Sequence, residues 1–405
     1  MRVVHTSHRL PAFPVYSSAF ISPNELVIGG GGGATQSGIK NKLRIFNVDE
    51  NRSISQQDEF ELAKGEDAPM SMATHAKTIV CGVNSAPEQL EKGENENCRV
   101  FGVENGKISS IRTRGTLDVG PENPDYQKVT ILSSDGSLLV VAGPYELSLL
   151  SYPSLAPVAQ TIKTDKEIYD ATFTKSQLIV ATTANLQIFS LPNPSTITAS
   201  ASPSKSKKKG KQKAGPISST LPILVCDRVV DIPPSIGGPS GSSFRAVKIH
   251  PTLPNVLFTV VNTILSRSRG KSTPRQAYLA KWNTENWTIE KSRKVGDRGI
   301  TCFTISPDGK LLGYGSSDLS VGLLDASTLN PVSAILKAHE FPPTTLAFNT
   351  TSTILVSGSA DNSIRVISVP AQVRGSNWSF IVLLVLTLIV VLLALAMQRY
   401  TNLMG

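Results

Sequence analysis

The chain has 405 residues, of which 40% are hydrophobic and 18% charged, so it can bury a sizeable core. That balance excludes a wholly disordered or collagen-like chain. The formal charge is +9, but six of the cations lie between Lys205 and Lys213, and Arg267, Arg269, Lys271 and Arg275 form a second cluster. Without these ten the charge is −1. A nucleic-acid-binding face would carry its basicity on folded elements, so no nucleic-acid partner is expected.

The N-terminal sixteen residues, MRVVHTSHRLPAFPVY, contain no apolar run of signal-peptide length. Arg2 to His8 alternates like a strand. From Val15 onwards, short runs rich in Val, Ile, Leu and Thr are broken by Gly, Asn, Asp and Ser, the all-β pattern. The first such unit, Val15 to Val48, contains Gly29 to Gly33, five consecutive glycines. Ala34-Thr35-Gln36-Ser37-Gly38-Ile39-Lys40-Asn41 follows them, with LVI before and KLRIFNV after.

By position this is a hairpin of about a dozen loop residues, where a tight hairpin needs two. Ordered glycines lose the most chain entropy, which a mere connector has no reason to bear. Three readings compete. A phosphate cradle fails on spacing, because no Gly-Lys-Ser/Thr follows and the strand leads into another strand. A flexible hairpin without function is the plain reading. The third is a projecting loop whose free carbonyls wrap a cation. The loop holds no Asp or Glu, and such a neutral field suits potassium better than calcium.

Further units begin near Met70, Val129, Ile168, Phe244, Ile300 and Thr344, giving seven over about 370 residues. Between them, EQLEKGENEN from Glu88 reads as an exposed acidic loop. Residues 192–222 are a Lys-, Ser- and Gly-rich insertion read as solvated and disordered, with attraction to an anionic membrane as its functional alternative. Residues 265–276 are a second insertion. The last two units carry the clearest signature: ITCFTISPDGKLLGYGSSDLSVGLLDAS from Ile300 and TTLAFNTTSTILVSGSADNSIRVISVP from Thr344. Each reads strand, turn, strand, Asp-containing turn, strand, with Asp318 and Asp361 at the tight turn. They resemble degenerate WD repeats, in which Leu324 and Ile367 replace the usual Trp and Lys337-Ala338-His339-Glu340 holds the place of the Gly-His pair. The expected fold is all-β: a seven-bladed WD-type β-propeller over 1–370, closed by the N-terminal strand so that no sheet edge stays open.

Residues 371–378 read as a linker. Phe380 to Met397 is apolar throughout except for Thr387. At 1.5 Å per residue it covers about 27 Å, the depth of a bilayer core. Trp378 and Tyr400 suit the two interfaces. The expectation is a single transmembrane helix over 379–397 and a short lumenal tail over 398–405. Such a segment inserts after synthesis, which leaves the propeller in the cytosol. The scattered cysteines Cys81, Cys98, Cys226 and Cys302 are then free thiols.

A degenerate WD propeller, a Gly-run loop in the first blade ending Gly38-Ile39-Lys40-Asn41, and one C-terminal anchor together resemble one family. It is the endoplasmic-reticulum exchange factor that loads GTP onto the Sar-type small GTPase and starts COPII coat assembly. The resemblance implies residence in the endoplasmic-reticulum membrane and a loop organised by potassium through the carbonyls of Gly31, Gly32 and Gly33. It implies that this loop touches the GTPase, with Asn41 critical. Ile39 is expected to act beside Asn41 as an apolar wedge. Thr35, Gln36, Ser37, Gly38 and Lys40 are expected to line the contact. No covalent chemistry and no small-molecule substrate is expected. The rival reading is a membrane-tethered propeller scaffold that binds a GTPase or coat protein without exchange.

Overall fold

The computed structural model describes residues 3–34, 37–118, 125–192, 221–239, 241–263, 267–268, 271–272, 275–370 and 378–404. Two compact units emerge, Met1–Val369 and Pro370–Gly405.

The first unit is a seven-bladed β-propeller, with seven four-stranded antiparallel sheets among the described residues. The first blade comprises β2 (Val15–Phe20), β3 (Glu25–Gly30), β4 (Lys42–Val48) and β5 (Ile54–Glu61), following β1 (His5–Arg9). The innermost strands of blades two to seven start at Ser71, Val129, Ile168, Ser242, Ile300 and Pro343. Each lies within two residues of the expected unit start. Propeller strands are buried on both faces, so they read as apolar runs rather than alternations. The two faces still sort by period two. Leu26 and Ile28 of β3 pack against Val356, Ile364 and Val366 of the last blade. Val27 joins Leu43 and Ile45 against Ile79 and Phe101 of the second.

The ring closes without a covalent bond. β1 pairs antiparallel with Ser363–Ser368 as the outer strand of the last blade, with Thr6 opposite Val366. Burying apolar area at this seam, at roughly 25 cal/mol per Å², joins chain segments more than 300 residues apart. In the same blade His339 is buried between Ser357 Oγ at 2.8 Å and Ser363 Oγ at 2.9 Å, and its Nδ1 lies 3.3 Å from Asp361. Ile367, buried, sits in this blade paired with His5 and Leu355.

The second unit contains a 27-residue helix, Trp378–Met404. Its described side chains, 382–396, are exposed and almost all apolar, Leu383 and Leu393 among them. Among the described residues no helix is long and apolar enough to cross a membrane. The described side chains cover fewer positions than the ~20 a span needs. The four cysteines are free thiols. Residues 193–220, including Lys205 to Lys213, lie outside the described residues.

Candidate functional site

The glycine run divides between two jobs. Gly29 and Gly30 belong to β3, paired with Leu43 and Lys42, and not to the loop. A Cβ on Gly29 would stand 2.5 Å from Ser17 Oγ, and one on Gly30 would stand 2.1 Å from the Pro14 carbonyl. These two glycines therefore permit close packing within a strand. The loop proper is Gly31–Asn41, and here the glycines set backbone shape. Gly31, Gly33 and Gly38 have φ of +140°, +69° and +77°, values that L side chains rarely adopt.

Asn41 organises the loop. Its Oδ1 accepts the Gly33 N–H at 2.9 Å, and its Nδ2 donates to the Gly33 carbonyl at 2.9 Å. The same Nδ2 donates to the Glu66 carbonyl at 2.7 Å. Glu66 in turn accepts from Arg99 Nη1 at 2.5 Å and from the Ala63 N–H at 2.8 Å. Arg99 sits in the strand Cys98–Glu104 of the second blade. A continuous chain of contacts thus runs from the tip side of the loop to the neighbouring blade. Asn41 is buried, and both of its amide hydrogens are spent on backbone carbonyls. Its side chain holds the loop rather than projecting from it.

The other candidate residues follow from this frame. Ile39 is half-buried, and its N–H lies 3.4 Å from Ser37 Oγ. Ser37 and Gly38 are exposed at the surface of the loop. Lys40 is exposed and ion-paired with Glu61 at 2.6 Å, an outer-surface pair worth little energetically. Thr35 and Gln36 lie outside the described residues.

Two acidic residues escape a linear reading of this site. The loop has no carboxylate of its own, yet the fold brings Asp67 beside it from the connection between the first two blades. A Cβ built on Gly33 would lie 3.5 Å from Asp67 Oδ1. The Asp67 carboxylate accepts the Ala68 N–H at 2.7 Å and the N–H of Ala34. Burial raises its pKa, and those two backbone N–H groups only partly offset the effect. The loop's surroundings are therefore not neutral. Glu66 is the second such residue, and no local spacing links either one to a loop some thirty residues earlier.

A WD-domain, G-beta-repeat model matches residues 330–368. The guanine nucleotide-exchange factor SEC12 of Candida glabrata is 24% identical over 383 residues, covering 92% of this chain and 74% of its own length. SEC12 of Mus musculus is 23% identical over 444 residues and covers 96% of both chains. The chain is similar to SEC12 guanine nucleotide-exchange factors along nearly its whole length. A chain in the crystal structure of a mitotic checkpoint complex superposes with a TM-score of 0.59 at 13% identity, covering 90% of this chain and 93% of that one. That likeness concerns the fold alone. These SEC12 relatives are named as guanine nucleotide-exchange factors. The match across the full propeller, with the WD signature in its last blade, accords with the endoplasmic-reticulum WD-repeat exchange factors.

Proposed function

We propose that this chain is a guanine nucleotide-exchange factor for a Sar-type small GTPase, working through the Gly31–Asn41 loop of its first blade. The observation that carries the reading is the Asn41 clamp: Gly33 of a glycine-rich loop is held by contacts that reach the next blade. Exchange requires a surface that fits the nucleotide-free GTPase better than the loaded one, which lowers the barrier to GDP release. A loop ordered in advance loses little entropy on docking. Ile39 serves as the apolar part of the contact surface, and Thr35, Gln36, Ser37, Gly38 and Lys40 are the remaining residues proposed to meet the GTPase. Asn41 acts by positioning that surface.

Potassium belongs to the same proposal. The donors near the turn suit it: backbone carbonyls of Gly31, Gly32 and Gly33, with Asp67 as a single carboxylate. Every donor in this set is an oxygen, which suits a hard cation. A bound potassium would offset the carbonyl dipoles of these three residues and help to hold the turn.

The helix Trp378–Met404 is proposed as the anchor, spanning the endoplasmic-reticulum membrane once with the propeller cytosolic and the C-terminus lumenal. Its exposed apolar flank is stable in lipid and costly in water.

The deciding measurement is release of a fluorescent GDP analogue from a purified Sar-type GTPase. Acceleration by the wild-type chain, lost in Asn41→Ala, supports exchange. Binding to the GTPase without faster release would establish the scaffold reading instead.

A further inference from the structure

The central channel of the propeller holds a second built site. A cavity of about 470 Å³ opens among the innermost strands, with lining residues from all seven blades. Those residues cluster at the start of each innermost strand, such as Tyr16, Tyr169 and Thr301. Val15, at the start of β2, pairs with Gly30. The cavity mouth and the glycine loop therefore share one face of the propeller.

Charge in the cavity is not balanced. Lys248 holds Asp170 at 2.7 Å, and Asp170 also accepts the N–H groups of Ala171 and Val247. Lys128 holds Glu167 at 2.5 Å. Both lysines are thereby neutralised by a neighbour. Arg245 is not. Its guanidinium lies over the Tyr169 ring, 4.6 Å from the centroid, and donates through Nη2 to the Thr301 carbonyl at 2.9 Å. Among the described residues it forms no ion pair with a carboxylate. A guanidinium has five N–H donors in a planar fork, and Arg245, which lines the cavity, commits one of them to Thr301. Tyr126, 40% exposed, stands on the same wall and can add a hydroxyl donor.

We propose that this channel mouth binds a carboxylate-bearing peptide, with Arg245 gripping the carboxylate and Tyr126 and Tyr169 walling the adjoining residues. The volume suits a short peptide segment rather than an isolated ion. One unpaired guanidinium matches a single carboxylate, whereas a polyphosphate needs several free cations. The Tyr169 ring and the Thr301 carbonyl hold the guanidinium in place, and a carboxylate can accept two parallel N–H donors from such a group. The site shares a face with the proposed exchange loop but uses none of its residues, so peptide binding can be read without measuring nucleotide release.

Isothermal titration of the full chain in neutral detergent with three N-acetylated peptides tests this. The peptides are acetyl-Ala-Phe-Glu-Ala-amide, its Gln counterpart, and acetyl-Ala-Phe-Ala with a free C-terminus. The Glu peptide is expected to bind about tenfold more tightly than the Gln peptide, the scale of one charge-assisted contact. The free C-terminus reports whether a main-chain carboxylate serves better than a side-chain one. Arg245→Gln should erase the Glu-over-Gln preference. Tyr126→Phe, which retains the ring and the fold, should weaken the Glu peptide severalfold. Equal affinity for Glu and Gln peptides, or a preference surviving in Arg245→Gln, overturns the proposal. Pyrophosphate binding more tightly than either carboxylate peptide also overturns it.

Discussion

Asn41 grips Gly33 by both of its backbone polar groups, accepting the N–H and donating to the carbonyl at 2.9 Å each. One side chain thus imitates a strand neighbour, in a place where no strand can run because Gly33 has φ of +69°. The third contact, to Glu66 at 2.7 Å, fixes the pair to the second blade.

Asn41→Ala removes all three contacts and leaves part-buried backbone groups of Gly33 and Glu66 without these partners. The cost is about 1–3 kcal/mol, so the thermal midpoint should fall by a few degrees. Exchange should fall by tenfold or more, because the loop loses its shape. Asn41→Asp should be as poor, since a carboxylate repels the Gly33 and Glu66 carbonyls. Wild-type rates in either variant would remove the clamp from the mechanism.

Glycines in the loop should differ sharply in tolerance. A Cβ on Gly32 would fall 2.1 Å from Ser37 Oγ and 2.8 Å from the Ile39 carbonyl. A Cβ on Gly38 meets nothing within 4 Å and faces only the strain of its left-handed backbone, about 1 kcal/mol. Gly32→Ala should therefore abolish most exchange, and Gly38→Ala should retain a measurable fraction. The reverse order, read as initial GDP-release rates, would show that loop shape is not what the glycines provide.

Replacing potassium with lithium tests the cation apart from exchange. If the Gly31–Gly33 carbonyls and Asp67 hold potassium, its removal should raise the rate of proteolytic cutting within 31–41 and slow exchange. Lithium is too small for the same carbonyl spacing. Cutting rates that ignore the cation would leave the loop organised by Asn41 alone.

His339 should make the last blade acid-sensitive. Burial holds its pKa below the ordinary imidazole value, opposed by Asp361 and reinforced by Arg365. The unfolded chain therefore takes up this proton first. The stability contribution is complete above about pH 6.5 and is lost as pH falls toward the depressed folded value. The thermal midpoint should drop on going from pH 7.5 to 5.5, and His339→Asn should show a shallower drop. Parallel slopes for the two proteins would exonerate this residue.

Ending the chain at Val369 should leave a folded propeller, because the seam between β1 and Ser363–Ser368 is complete before that point. Gel filtration should show a monodisperse species that still accelerates GDP release in solution. Aggregation of the truncated protein, with the full chain folded in detergent, would show that the C-terminal segment contributes to the core.

Seven repeat starts, the closing N-terminal strand and the apolar C-terminal run were legible because each is a local pattern. Apolar runs bounded by turn residues report strands wherever both faces are buried, and the Asp turns at Asp318 and Asp361 mark blade periodicity. The glycine run also announced itself, since five ordered glycines have no local benefit. Its division was not legible. Gly29 and Gly30 serve strand packing because Ser17 and Pro14 approach them, and such approaches exist only between packed strands. The partners of Asn41 were hidden for the same reason. Glu66 and Asp67 lie some 25 residues further along the chain, and Arg99 lies in another blade. Hydrogen bonding depends on distance in space, so only the closed ring determines that Asn41 holds Gly33, that a carboxylate stands beside the loop, and that Arg245 lines the channel with no carboxylate partner among the described residues.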